Sequence, residues 1–243
     1  LRHLVEREVR LPEEGLAEEE ALLGQVARGE APPTIRVWRN ARCVVVGRSQ
    51  SPEEEADVVN CRALGIPVLR RCSGGGAVYH HPGNLNFSLF LPLERRWMAV
   101  RRSQSLLGQR LASALRQRWG LPAGHRDGAV FVGGYKVSGS AQLRRRAFLH
   151  HGTLVLWEDE VDMRDLLLAM QPGYLPSAVA SRAAPVAALS CLSGGQVDLE
   201  EGIDLLLEAY ADLDGPSCSQ VAATGQAAAA LGCAQNLHGP GSY

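Results

Sequence analysis

Hydrophobic positions recur along the chain with two periods, and their succession lays out a mixed order of helices and strands. Residues 12–28 carry Leu16, Leu22, Leu23 and Val26 among glutamates, with Gly29 and the Pro32-Pro33 pair beyond, the pattern of an amphipathic helix. Residues 34–39 alternate as a strand, and residues 43–47 form a short apolar one. Ser51-Pro52-Glu53-Glu54 offers an N-cap, a proline at the first helical position and first-turn acids, so a helix is predicted over 51–64, stopped by Gly65. Strands follow at 66–69, 77–80 and 85–91. A helix over 100–119 then places Leu106, Leu107, Leu111 and Leu115 on one face.

Further along, residues 129–132 and 135–138 flank Gly133-Gly134, a two-residue hairpin signal. A long strand over 148–156, a helix over 161–170 and a helix over 198–213 complete the pattern. Hairpins make neighbouring strands antiparallel. The expected fold is therefore α/β of the α+β kind, a largely antiparallel central sheet flanked by helices, and not a doubly wound parallel sheet. Residues 1–213 are expected to form one domain. Residues 214–243 are rich in Gly, Ala, Ser and Gln with few large apolar side chains, and are expected to be a loosely held tail.

Composition narrows the function by exclusion. With 46% hydrophobic residues, 21% charged residues and a net charge of -1, the chain is an ordinary globular one, and its overall charge names no partner. Aromatic residues make up 5% and arginines are scattered, which argues against a nucleic-acid module. No apolar run approaches the roughly 20 residues that cross a bilayer. The Arg- and Glu-rich start is not a signal peptide, so a cytoplasmic location without a membrane partner is expected. The six cysteines show no CxxC or CxH spacing and are expected to be reduced structural thiols. The basic residues are more telling: 24 are arginine and one, Lys136, is lysine. An ammonium is a compact point charge that fits between a carboxylate and a phosphate where a planar guanidinium does not.

Two clusters carry the candidate chemistry. Arg70-Arg71-Cys72-Ser73-Gly74-Gly75-Gly76-Ala77-Val78-Tyr79-His80 follows a predicted strand. Successive glycines let backbone amides turn toward a ligand, and the arginines supply charge for a phosphate or carboxylate; a bare flexible loop is the plainer alternative. Neither GxGxxG nor GxxxxGK[ST] is present, which excludes the Rossmann fingerprint and the Walker loop. The second cluster, Gly133 through Ala141, sets Lys136 among small residues. His150-His151-Gly152-Thr153 begins the long strand soon after. Arg144-Arg145-Arg146 is a solvated loop or a patch that steers phosphates or an acidic acceptor protein.

Residues 70–88, RRCSGGGAVYHHPGNLNFS, resemble the signature of the lipoate-protein ligase A family within the biotin/lipoate ligase superfamily. KVSGSAQ at 136–142 and HHGTLVL at 150–156 resemble its second and third motifs, in the same order. The resemblance implies a biotin/lipoate ligase-like fold of the class II synthetase kind. It implies an ATP-dependent ligase that forms an acyl-adenylate of lipoate or octanoate and transfers the acyl group to a lysine of a lipoyl-domain protein. Such acceptors are the E2 subunits of 2-oxoacid dehydrogenases and the glycine cleavage H protein. It makes Lys136 the catalytic lysine, and assigns substrate and nucleotide contacts to Arg70, Ser73, Gly74, Gly75, Gly76, Ala77, Val78, Tyr79, His80 and Asn84. Gly139, Ser140, Ala141, His151, Gly152 and Thr153 complete that set. Asp127, in a place resembling the family's Asn-Asp element, is expected to hold Mg²⁺ or the nucleotide.

The chain departs from the family pattern at several points. The Asn-Asp element reads Arg126-Asp127, and the Asp that usually follows the first motif's histidine is replaced by Pro82 after His81, so a carboxylate's hydrogen bond is lost or replaced. The segment after 188 is short for the small accessory domain that such ligases often carry, so a separate accessory subunit is one expectation and a narrower activity the other. That narrower activity is an octanoyl or lipoyl transferase, which works through a cysteine thioester without ATP. At the two places where related transferases hold that cysteine, this chain has Leu121 and Gln171-Pro172-Gly173, which leaves Cys72 as the thiol to examine. A biotin ligase is disfavoured because its GRGRxGRxW-type loop is absent. A non-catalytic lipoyl-binding homologue would lack the lysine.

Overall fold

The computed structural model describes residues 1–195 and 197–214. Leu1–Ala211 form one compact unit; the second, Asp212–Tyr243, and with it the expected tail, falls almost entirely outside the described residues. The first unit is built on a seven-stranded sheet. Its order is β1 (Arg2–Arg10), β2 (Thr34–Asn40), β6 (Asn84–Pro92), β10 (Ala147–Val155), β9 (Tyr135–Arg144), β8 (Ala129–Val132) and β7 (Ala123–Arg126). A smaller sheet runs β4 (Val68–Arg70), β3 (Cys43–Val46), β5 (Val78–His80). Among the described strands only β1 with β2 and β3 with β4 pair in parallel, so the largely antiparallel expectation holds.

Strand parity decides what each face of the large sheet meets. On β6, Leu85, Phe87, Leu89 and Leu91 face one way, under α5 (Val100–Trp119) and α7 (Leu199–Ala209). Gly202 of α7 packs against Leu85 and Leu156, and the Phe87 ring lies 5.4 Å from that of Tyr210. Asn86, Ser88 and Phe90 face the other way, under α1 (Pro12–Ala27). There Leu22, Leu23 and Val26 cluster with Phe90, Ala147 and Leu149. Gly15 brings α1 so close that a Cβ would fall 2.3 Å from the Trp38 ring. The second face thus mixes polar with apolar positions, and it is the face that carries the cavity.

Strand β1 was not foreseen, because its RHLVEREVR run leaves no residue fully buried. It is a charged edge strand, a common way of shielding unpaired backbone groups. Its anchor is Arg36, whose side chain is fully buried. Arg36 donates to Glu6 of β1 at 2.7 Å, to Glu18 of α1 at 2.8 Å and to the Gly15 carbonyl at 2.7 Å. Its guanidinium also lies 4.4 Å over the Trp38 ring.

Two predicted helices are corrected by one bridge. Ala56 is extended and pairs with Leu167, which splits the 51–64 helix into α2 (Pro52–Glu55) and α3 (Val58–Ala63), with Asp57 accepting the Asn60 N–H as the new cap. The same pairing replaces the 161–170 helix by two single 3-10 turns, Met163–Asp165 and Leu168–Met170. Leu166 and Leu167 both sink into the small-sheet cluster with Val44, Ile66 and Tyr79. Consecutive helical residues diverge by about 100°, so a regular helix serves that packing poorly.

The remaining differences are smaller. Asp127-Gly128, with φ of 50° and 78°, closes a second two-residue hairpin between β7 and β8, beside the foreseen Gly133-Gly134 turn at 56° and 90°. Short helices α4 (Arg95–Met98) and α6 (Leu189–Leu192) are added. Leu106 is 44% exposed, whereas Leu107, Leu111 and Leu115 are buried. Arg144 is no loop residue: it ends β9 and donates to the Trp97 carbonyl and to Ser103. Cys43, Cys61, Cys72 and Cys191 are free thiols. Among the described residues no helix is long and apolar enough to cross a membrane.

Truncating Arg36 to alanine leaves Glu6 and Glu18 without their buried cation and is expected to cost about 3–5 kcal/mol in urea unfolding. Arg7→Ala, which breaks only the exposed pair with Glu200, should leave the midpoint unchanged. Equal stability of the two variants would contradict the anchoring role.

Candidate active site

Between the α1-side face of the large sheet and the small sheet lies a cavity of about 650 Å³, within the range of small-molecule sites. One wall is the glycine loop that joins β4 to β5. Arg71, 7% exposed, holds its shape by donating to Ser73 Oγ at 3.0 Å, to the carbonyls of Gly74 and Gly76 at 2.8 Å each, and to the Val45 carbonyl at 3.2 Å. Burial pushes its guanidinium down to about 10, still cationic at neutral pH. Gly75 takes a φ of 93°, and a Cβ on Gly47 would meet its carbonyl oxygen at 2.1 Å. Close approach of two backbones therefore sets the loop's position.

Lys136 enters the cavity because β9 is bulged. Val130 pairs with Ser138 but Phe131 with Lys136, which leaves Val137 as an extra residue on β9. A bulge re-aims the side chains on either side of it. Lys136 thereby joins Gly139 on the cavity side, and a Cβ on Gly139 would lie 2.9 Å from both Cε and Nζ of Lys136. Among the described residues nothing hydrogen-bonds or pairs with this ammonium. Burial, and then the charge of Arg71, holds its pKa below the ordinary lysine value.

A polar relay closes the opposite end. Glu19, 1% exposed on the inner face of α1, accepts from His151 Nδ1 at 2.9 Å and from Ser88 Oγ at 2.5 Å. Burial alone would push its carboxyl up, but His151, Ser88 and Arg36 outweigh that and hold it low, as an anion. His151 Nε2 lies 2.6 Å from Ser73 Oγ, which ties the relay to Arg71 and the glycine loop. Trp38 Nε1 donates to Ser88 Oγ at 3.2 Å. Asn86 is 2% exposed and lines the cavity with both amide atoms unpartnered, so a ligand polar group would satisfy it. Beyond Lys136 the cavity adjoins a smaller apolar pocket of about 80 Å³ that includes Val137, Met163, Leu167 and Met170.

The segment 171–187 lines the cavity through Val179, Ala180 and Arg182. Ser181 Oγ accepts the Ala77 N–H at 2.7 Å and donates to the buried Glu55 at 2.5 Å. Tyr174 also donates to Glu55, at 2.6 Å, and the Lys136 N–H donates to the Pro185 carbonyl at 2.8 Å.

A cavity joining a lone lysine, a triple-glycine loop and a histidine-bearing strand is what the motifs implied, and comparison with known families decides the matter. The lipoyl protein ligase A/B catalytic domain family matches residues 11–211. The chain belongs to this family. A protein of Aeropyrum pernix assigned as a lipoate-protein ligase A is 38% identical over 65% of this chain and 58% of its own length. The octanoyltransferase of Exiguobacterium sibiricum is 31% identical over 78% of each chain. A Thermoplasma acidophilum structure, described as a bi-partite lipoate protein ligase and its E2 lipoyl domain, superposes with a TM-score of 0.67 at 21% identity, covering 87% of this chain and 83% of that one. The matched region spans about half the length of the first curated relatives.

Within this family member, most motif residues converge. Gly74, Gly75, Gly76, Ala77, Val78, His80, Asp127, Lys136, Gly139, Ser140, Ala141, His151, Gly152 and Thr153 line the large cavity. Tyr79 and Asn84 line the smaller pocket. Ser73 is fully buried behind the wall. Arg70 is elsewhere: its guanidinium caps the carbonyls of Gly47, Arg48 and Gln50 at 2.7–3.0 Å, and of the two neighbours it is Arg71 that lines the cavity. His80 is neutral, pushed down to about 3 by burial and then by Arg71. The carboxylate missing after His81 has a partial stand-in in Asp159, which accepts the Tyr79 hydroxyl at 2.6 Å, pairs with Arg42 at 2.8 Å and acts on His81 through its charge.

Asp127 is two-thirds exposed and pairs with Arg182 at 3.5 Å. No group of three or more His, Cys, Asp or Glu able to hold a metal occurs among the described residues. The residues present do not make a magnesium cage, and such an ion would be held mainly by substrate phosphates. Glu19, Trp38, Asn86 and Ser181 were not foreseen, and Arg71 was expected only as one of the two charge-supplying arginines, the contact itself being assigned to Arg70. Glu19 had left a trace, as an acid on the apolar stripe of α1, and Asn86 another, two residues before Ser88 on one strand face.

Gly139→Ala should displace the Lys136 ammonium by about an ångström without unfolding the sheet, lowering kcat by about 10²-fold at an unchanged melting temperature. A variant with native turnover would contradict the placement of Lys136.

Proposed function

We propose that the chain activates lipoate or octanoate with ATP and transfers the acyl group to a lysine of a lipoyl-domain acceptor. The observation that carries this reading is the unpaired, half-buried ammonium of Lys136 beside the Arg71-braced glycine loop. A carboxylate oxygen of the acid attacks the α-phosphorus of ATP, the bond to the β-phosphate oxygen breaks, and pyrophosphate leaves. Two anions must meet for this, and negative charge builds as they do. A fixed cation between them stabilises that transition state more than either reactant alone. The acceptor amine then attacks the acyl carbon of the mixed anhydride, AMP departs, and the amine proton is lost. Lys136 next to the same carbonyl polarises it for this second step.

The thiols support ATP-dependent activation over a thioester route. Cys72 packs against α1 and does not line the cavity; burial, and then the charges of Glu19 and Glu20, push it up to about 12, far from a thiolate. Cys43 is buried and also pushed up to about 12. Cys61 and Cys191 do not line the cavity either. Cys218 and Cys233 lie outside the described residues. The transferase reading keeps its support in the 31% identity to an octanoyltransferase. ATP dependence separates the two. A separate accessory subunit is consistent with the bi-partite Thermoplasma ligase.

Acyl transfer to a purified lipoyl domain should require ATP and fall by at least about 10²–10³-fold in Lys136→Ala. Transfer from an octanoyl carrier without ATP, abolished by thiol alkylation, would sink the ligase reading. The ammonium is present below its own pKa and lost above it. Because that pKa is depressed, adenylate formation should decline with rising pH before the value of about 10.4 typical of free lysine. A rate flat through that region would contradict the role of the charge.

A further inference from the structure

Charge is segregated along this nearly neutral chain. Residues 94–146 hold twelve basic and two acidic residues, a net of +10, while the rest of the chain is -11. Several of these arginines serve the fold: Arg116 and Arg118 bond to the Ala123 carbonyl and Glu208, and Arg144 to Trp97 and Ser103. Arg95, Arg101, Arg102, Arg145 and Arg146 do not. All five are exposed, and no carboxylate among the described residues pairs with them. They share one corner, because Arg144 ties the β9–β10 turn directly to the α4–α5 junction.

The corner is costly to the fold. Helix α5 is 20 residues long, has no side-chain cap and no acid in its first turn, and instead places Arg101 and Arg102 at the positive end of its dipole. Met98 and Val100, 55% and 49% exposed, lie between the arginines. Arginine and methionine around an apolar centre are typical of protein interfaces. The corner also borders the active cavity, since Val100, Arg101 and Gln104 are among its lining residues.

From these observations we propose that the Arg95–Arg102 corner and the Arg145-Arg146 turn form the docking face for an acidic acceptor domain. The inference rests on the ligase reading for the identity of the acceptor. A lysine-bearing protein that delivers its amine past this rim is repelled unless the surface around that lysine is negative. Complementary charge then steers encounter and register, and the apolar pair seats the domain.

The test uses the full chain, a purified apo-lipoyl domain of net negative charge, and the triple variant Arg95→Glu/Arg102→Glu/Arg146→Glu, whose residues do not line the cavity. The KM for the domain should rise about tenfold or more, with kcat little changed. Its steep increase with NaCl in the parent should flatten in the variant. Lipoate-dependent ATP–pyrophosphate exchange should be unaffected, and the melting temperature unchanged or raised as the dipole conflict is relieved. Anisotropy titration of the labelled domain reads docking even if the chain proves not to be an ATP-dependent ligase. Parent-like affinity and KM in the variant would overturn the proposal. So would salt-dependent binding of a 20-base-pair duplex that the variant loses while its affinity for the domain stays unchanged.

Discussion

An unpaired ammonium inside a protein is unfavourable, and the organisation of this chain follows from keeping one there. Lys136 has lost much of its hydration and feels another cation, Arg71, and no carboxylate among the described residues pairs with it. Such an arrangement persists when the surrounding fold is rigid enough to impose it. The one-residue bulge at Val137 aims the side chain, Gly139 leaves it room, and the long β9–β10–β6 ladder fixes the strand that carries both. The stabilisation withheld from the free protein would be available to an anion in the cavity.

The other elements serve that geometry at one remove. Arg71 is a cation too, but its donors are committed to the carbonyls of the glycine loop, so it shapes the wall as well as contributing charge. Glu19 balances this positive field from the far end, and its bonds to His151 and Ser88 lock the sheet to α1. Arg36 then fastens α1 to the edge strand. A chain of buried polar contacts thus runs from the sheet edge to the loop that would meet phosphate, and each member is satisfied by its neighbours.

The sequence made the sheet legible where alternation and paired turn residues were strong, as at Gly133-Gly134 and along residues 148–156. It misled where tertiary pairing overrode local propensity. The Ser51-Pro52 helix start is genuine, yet the Ala56–Leu167 bridge breaks the helix after one turn, and nothing local announces a contact 111 positions away. The cavity residues within motifs could be read because glycines and the lone lysine are conspicuous. Arg70 and Arg71 could not be told apart, since only strand exit geometry decides which of two neighbours turns inward. Glu19, Asn86 and Ser181 reach the site from separate elements, and their roles become visible only in three dimensions.

The most direct test of the account is a crystal structure with a non-hydrolysable lipoyl-adenylate analogue. Lys136 Nζ should lie within about 3 Å of both a phosphate oxygen and the acyl carbonyl oxygen, with the glycine loop in its present shape. An analogue bound in the cavity with the ammonium turned away from both oxygens would contradict the central role assigned to Lys136.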